Sequence, residues 1–380
     1  MRQTINRRGL SLIDVVTVLL VLSVAFTLAV PSLAKLRDAS YTDVSVSNLV
    51  TQSVAHAMYA ADYNGQQYTL WPSDLTTYGN SYETALWNYQ HSLGDLSGFD
   101  TVAIEIAWTP TGHWYFTAQG VRILHMRQPM GLGAAMDTHF GAFRMMYNVA
   151  AFNQYLNGRF YDPVLYAPND TAVMDLVEPQ FELPYLDIPS GLYFSSYISS
   201  PAALYHPEVF RAPSEGGWQN PWETSGILGL DTRPLHGAQY ADLKTHILEH
   251  HWLQNRPDDY CNPLFPNGTY DGCEPYYFNH AMTSAPVTLF YDGQDRLLPN
   301  AEVRASDQQV LDQTNGVDGL WSRDTPLGSN GYFNDYSFDN TDLAHHILTT
   351  EGIHGRDTLG PLNLRATTTR RKQTATNILD

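Results

Sequence analysis

The sequence predicts an α+β protein: one long N-terminal helix packed on an antiparallel sheet, with long loop insertions. Three observations predict it. An uncharged apolar run near the N-terminus passes into an amphipathic pattern that stops at Asn64-Gly65. The stretch "TVAIEIAW" at 101–108 alternates at period two and is followed by further short runs of strand type. The intervening segments are rich in Pro, Gly and Asn, as loops between such elements are.

The helix comes first. Nothing between Val15 and Val30 is charged, and with Leu10–Ile13 and the residues through Leu36 the run covers the ~20 residues a bilayer-spanning helix needs. After Pro31 the pattern changes. Leu33 and Leu36 are followed by Val46, Val50, Val54 and Met58 at four-residue steps, with Ala57 and Ala61 alongside. Lys35, Arg37, Asp43, Asn48 and Gln52 fall between them, so the apolar stripe is expected to pack on a domain. Glycine readily takes the left-handed conformation that ends a helix, which places the stop at Asn64-Gly65. The helix should span roughly Leu10 to Tyr63, on the order of 80 Å, with a kink at Pro31.

Beyond residue 70, "TVAIEIAW", "HWYFTA" and "VRILHM" read as a meander of antiparallel strands. "GLYFSSYI" at 191–198 and "APVTLFYDG" at 285–293 are further strand candidates. Helices are expected near "AFRMMYNVAAFNQYL" at 142–156 and "YADLKTHILEHHWLQ" at 240–254. The last residues carry Arg365, Arg370, Arg371 and Lys372 in a polar context that predicts a disordered tail. The expected organisation is a transmembrane half-helix at 10–31, an amphipathic half-helix at 32–64, a globular extracytoplasmic domain at 65–364 and a tail at 365–380, with residues 1–9 as the leader that a family resemblance of the N-terminus implies.

The chain carries 39 acidic and 21 basic residues, a formal charge of −18. Removal of a leader through Gly9 would leave 18 basic residues, because Arg2, Arg7 and Arg8 go with it. Such a surface repels phosphate backbones, so nucleic acid is not an expected partner. Two cysteines, Cys261 and Cys273, enclose the turn-rich "NPLFPNGTYDG". They are either a local disulfide, worth about 3 kcal/mol and requiring an oxidising compartment, or two reduced thiols.

Arg7 and Arg8 precede the apolar run and should stay cytoplasmic, which places the rest of the chain outside. "SLA" at 32–34 offers a signal-peptidase site and "NRRGLSL" a twin-arginine signal, yet neither accounts for Asp14 inside the apolar run. "RRG", then "LSLIDVV", a continuous apolar helix and Pro31 together resemble the N-terminus of type IV prepilins and type II secretion pseudopilins. The resemblance implies a pilin-like fold, cutting after Gly9 by a membrane prepilin peptidase, and methylation of the new N-terminal amine of Leu10. It also implies that Asp14, where the family has Glu, pairs with the amine of a neighbouring subunit. A carboxylate in lipid is costly unless paired. Leu10 stands where the family usually has Phe. "HPEVFRAPSEGG", "APVTLFYDGQD" and "GIHGRDTLGPLN" are similar to segments of large planctomycete-type members.

The resemblance implies a non-enzymatic filament subunit anchored in the inner membrane, with the prepilin peptidase and other pilin or pseudopilin subunits as partners. A secreted or anchored surface protein using its 24 Tyr and 8 Trp on a glycan or protein ligand is the alternative. A third reading comes from "HILEH", His246–His250, which fits the H-x-x-E-H pattern of inverted zinc peptidases if it lies on a helix; an amphipathic helix with extra histidines explains it equally. No cofactor is expected. "NGTYDG" at 267–272, "DGQD" at 292–295 and "NDYSFDNTD" at 334–342 could offer oxygens to calcium, but ordinary turn chemistry explains Asn, Asp and Gly there. No P-loop, dinucleotide glycine fingerprint or nucleophile elbow occurs.

Overall fold

The computed structural model describes residues 12–68, 77–80, 84–85, 88, 103–109, 112–117, 150–159, 161–182, 195–217, 219, 233–249, 285–321 and 349–360. The chain forms two compact units, Met1–Val44 and Ser45–Asp380. Helix α1, Leu12–Asp62, contains Pro31.

In the first unit every residue whose side chain is described is exposed apart from the half-exposed Tyr41 and Thr42. Leu12, Ile13, Leu19 and Leu20 are among its bare apolar side chains. Hydroxyls within the apolar stretch satisfy themselves on the helix: Thr17, Ser23 and Thr27 each donate to a carbonyl three or four residues back, at 2.8 Å. That arrangement leaves few polar demands on the surroundings. By length and composition the helix can cross a membrane.

In the second unit α1 ends as the sequence predicts. Asn64 (φ 55°) and Gly65 (φ 81°) turn left-handed, and the Gly65 amide donates to the Ala60 carbonyl. Strands β1 (Ala103–Thr109) and β2 (Gly112–Thr117) form a hairpin with a register shift between Glu105 and Ala107. Helix α2 is Thr171–Val177. The main sheet is a four-stranded antiparallel meander in sequence order: β3 (Tyr197–Ser199), β4 (Thr245–Glu249), β5 (Val287–Phe290) and β6 (Asp295–Leu297). Helix α3, Asn300–Gln313, buries Asn300, Val303, Ser306 and Asp307, one face at three- and four-residue spacing. It too stops at an Asn-Gly pair, Asn315 (φ 56°) and Gly316 (φ 81°). The protein is thus α+β, with one long N-terminal helix and a small antiparallel sheet.

Two expectations are corrected. Residues 245–249, expected in a helix, form β4 instead. Every residue of β4 is buried, so the strand shows no polar–apolar alternation, and its buried polar side chains mimic the mixed composition of a helix. The second correction concerns α1. The stripe expected to pack inward is largely bare, with Val50 44%, Val54 55% and Met58 50% exposed. The buried face instead carries Ser45, Asn48, Leu49, Gln52, Ala55, His56 and Ala60. On that side Ser45, Asn48 and Gln52 find hydrogen-bond partners, and Leu49, Ala55 and Ala60 bury their apolar surface beside them.

Strand expectations at 101–108, 113–118 and 285–293 correspond to β1, β2 and β5, while only the end of 191–198 enters β3. "VRILHM" lies outside the described residues, as does the tail at 365–380. Of the helix expected at 142–156, a single turn, Ala150–Asn153, is described.

Candidate functional site

Asp14 lies within α1, but its side chain is outside the description, as are Gly9, Leu10, Cys261 and Cys273. Pro31 is in α1 and exposed. The site that the structure does assemble is the buried polar face of α1 within the second unit.

Ser45, Asn48, Gln52 and His56 recur at steps of three and four residues, which sets them on one side of the helix. At the N-terminal end of this row, the Ser45 hydroxyl donates to Glu249 Oε1 of β4, and Ser45 Oγ and the Tyr197 hydroxyl lie 2.9 Å apart. Glu249 Oε2 accepts from the Val287 amide of β5 at 2.9 Å. Asn48 Nδ2 donates to Tyr197 Oη (3.1 Å) and to the Tyr166 carbonyl (3.0 Å). Burial, reinforced by the charge on Glu249, holds the Tyr197 phenol well above its ordinary pKa, against the hydrogen bonds from Ser45 and Asn48. It stays a neutral hydroxyl. One turn on, Gln52 Nε2 donates to the Val164 carbonyl at 2.8 Å.

At the C-terminal end of the row, the His56 ring lies 4.6 Å from Phe152 in a tilted arrangement and meets His246 of β4 edge-on at 4.7 Å. His246 in turn lies 4.6 Å from Tyr291, whose hydroxyl donates to Gln67 Oε1 at 2.5 Å. Gln67 Nε2 reaches the carbonyls of Ala203 and Arg233, both at 3.1 Å. Burial, and then the neighbouring His246, lowers His56 well below the usual histidine range; burial lowers His246 to about 3. Both rings are neutral at physiological pH.

Ser45, Asn48, Gln52 and His56 are buried, and the Ser45, Asn48 and Gln52 hydrogen bonds join α1 to the sheet or to the loops around it. The arrangement can therefore fix the register of α1: a slide by one residue would break the Ser45, Asn48 and Gln52 bonds together, each loss costing about 1–3 kcal/mol. "HILEH" does not form the expected helix, because His246 and Glu249 sit on a strand; His250 is outside the described residues. Among the described residues no group of three His, Cys, Asp or Glu is placed to hold a metal. "DGQD" forms the β5–β6 turn, where Asp292 Oδ1 accepts from the Gln294 amide at 2.9 Å and Gly293 has φ 84°. The other two acidic stretches are outside the description.

Sequence reasoning missed the polar row because it weighed only apolar periodicity. Reading Ser45, Asn48, Gln52 and His56 as a second stripe at the same spacing would have found it.

No family model, curated protein or solved structure matches this chain.

Proposed function

We propose that the protein is a membrane-anchored structural subunit of the prepilin and pseudopilin type, processed after Gly9 and assembled through its N-terminal helix into a type IV pilus or a type II secretion pseudopilus. The observation that carries the reading is the order "RRG", apolar run with Asp14 at its start, and one helix from Leu12 to Asp62. The buried polar row supports it further. A helix that transmits an assembly contact to a globular domain must be held in one register, and Ser45, Asn48 and Gln52 supply that hold. The apolar segment anchors the chain in the inner membrane, with the globular domain outside the cytoplasm. Asp14 is neutralised by the freshly exposed amine of a neighbouring chain during assembly.

Mass spectrometry of the mature N-terminus tests the proposal. N-methyl-Leu10 is the expected first residue. A chain beginning at Lys35 overturns the reading in favour of ordinary secretion, and an uncut Met1 terminus overturns it in favour of a plain anchor.

A further inference from the structure

Lys244 immediately precedes β4 and is fully buried, as is its partner Asp357. Asp357 belongs to the C-terminal segment Thr349–Gly360, which folds back on the sheet and is held there by several contacts. The Asp357 amide donates to the Leu243 carbonyl, and the Glu351 amide donates to Phe210. Gly352, at φ +58°, sits so close to the chain that a Cβ would come within 2.8 Å of the Ala202 carbonyl oxygen. The segment is therefore a fixed wall rather than a loose end.

Four groups converge in this wall. Lys244 Nζ lies 3.1 Å from Asp357 Oδ1. The Thr349 hydroxyl bridges the two, 2.8 Å from Nζ and in hydrogen-bond contact with Oδ1. The Thr245 backbone amide donates to the other carboxylate oxygen, Oδ2, at 2.7 Å. An amine, a carboxyl carbon, an N–H aimed at one oxygen and a hydroxyl touching both the amine and the other oxygen are the parts an acyl transfer requires.

We propose that Lys244 and Asp357 condense to an intramolecular isopeptide bond, covalently fastening the C-terminal segment to the main sheet. One proton passes from the Lys244 ammonium to Oδ1 of the Asp357 carboxylate, which leaves a neutral amine beside a carboxylic acid. Burial itself lowers the Lys244 pKa, with the Asp357 charge acting in the opposite sense. The neutral Nζ then adds to Cγ, and the Thr245 amide stabilises the negative charge that develops on Oδ2. A second proton moves from nitrogen to Oδ1 through the Thr349 hydroxyl. The Cγ–Oδ1 bond breaks, water leaves, and Oδ2 remains as the amide oxygen on the Thr245 N–H. No oxidant, reductant or co-reactant enters, and exclusion of bulk water disfavours the reverse hydrolysis.

Tryptic digestion of the full-length purified protein followed by tandem mass spectrometry tests this directly. The expected product is a branched peptide in which Asp357–Arg365 is joined to a peptide uncut at Lys244, lighter than the sum of its two parts by one water. Recovery of Asp357–Arg365 as a free peptide, together with cleavage after Lys244, overturns the proposal and leaves a buried ion pair. Because the wild-type chain is analysed, the answer does not depend on any variant folding. An Asp357→Asn chain that folds should give the same branched peptide, since ammonia then leaves in place of water. The readout is independent of N-terminal processing, so this inference and the pilin reading fail separately.

Discussion

Acid should loosen the second unit through the His56–His246 pair. An unfolded histidine titrates near 6.5, whereas burial takes His246 to about 3 and His56 well below its ordinary value. The folded state therefore binds fewer protons than the unfolded one between those limits. Stability is complete above about pH 6.5 and falls as the pH drops, by about 1.4 kcal/mol per unit for each histidine. From about pH 7.5 to about pH 5, His246 alone should cost about 2 kcal/mol, and His56 adds to the loss in the same direction. The assay is urea unfolding of the full chain at both pH values, followed by tryptophan fluorescence, for the wild type and for His246→Gln. The variant has no imidazole at that position to charge, so its loss of stability between the two pH values should be about 2 kcal/mol smaller. An equal loss in both chains would refute the reasoning, because the acid sensitivity would then arise elsewhere.

Further outcomes follow from the α1 packing and from its ends. Leu49→Ala, in the buried face, should destabilise by about 2–5 kcal/mol in thermal or urea unfolding. Val54→Ser, in the bare stripe, should stay within about 0.5 kcal/mol; the reverse ranking would restore the inward-facing stripe. Gly65→Ala meets both the left-handed backbone and the His236 ring, 3.0 Å from the new Cβ, and should cost about 1–2 kcal/mol in the same assay. Asp14→Ala should abolish co-purification of the chain with filaments while leaving its membrane insertion intact; undiminished incorporation would remove the proposed pairing with a neighbour's amine.

Some of these features were readable because a local cause produces them. Asn64-Gly65 ends α1 through a conformational preference that glycine carries wherever it stands, and Asn315-Gly316 ends α3 in the same way, although α3 went unpredicted for want of a strong apolar stripe before it. The β1, β2 and β5 segments carry β-branched and aromatic residues in their own sequences. By contrast, "THILE" has no intrinsic claim to be a strand. It becomes one because its neighbours pair with it, from Tyr197–Ser199 on one side and Val287–Phe290 on the other.

By itself the sequence determined the apolar run, the acid within it, the basic flank before it and the point where α1 stops, since each depends on residue chemistry and near-neighbour geometry alone. Only the tertiary structure decided which side of α1 turns inward. Two stripes with the same helical spacing competed for the core, and periodicity cannot rank them. The polar stripe won because Glu249, Tyr197, Tyr166 and Val164, more than a hundred residues away along the chain, present hydrogen-bond partners to it. That complementarity exists only once the fold has brought them together.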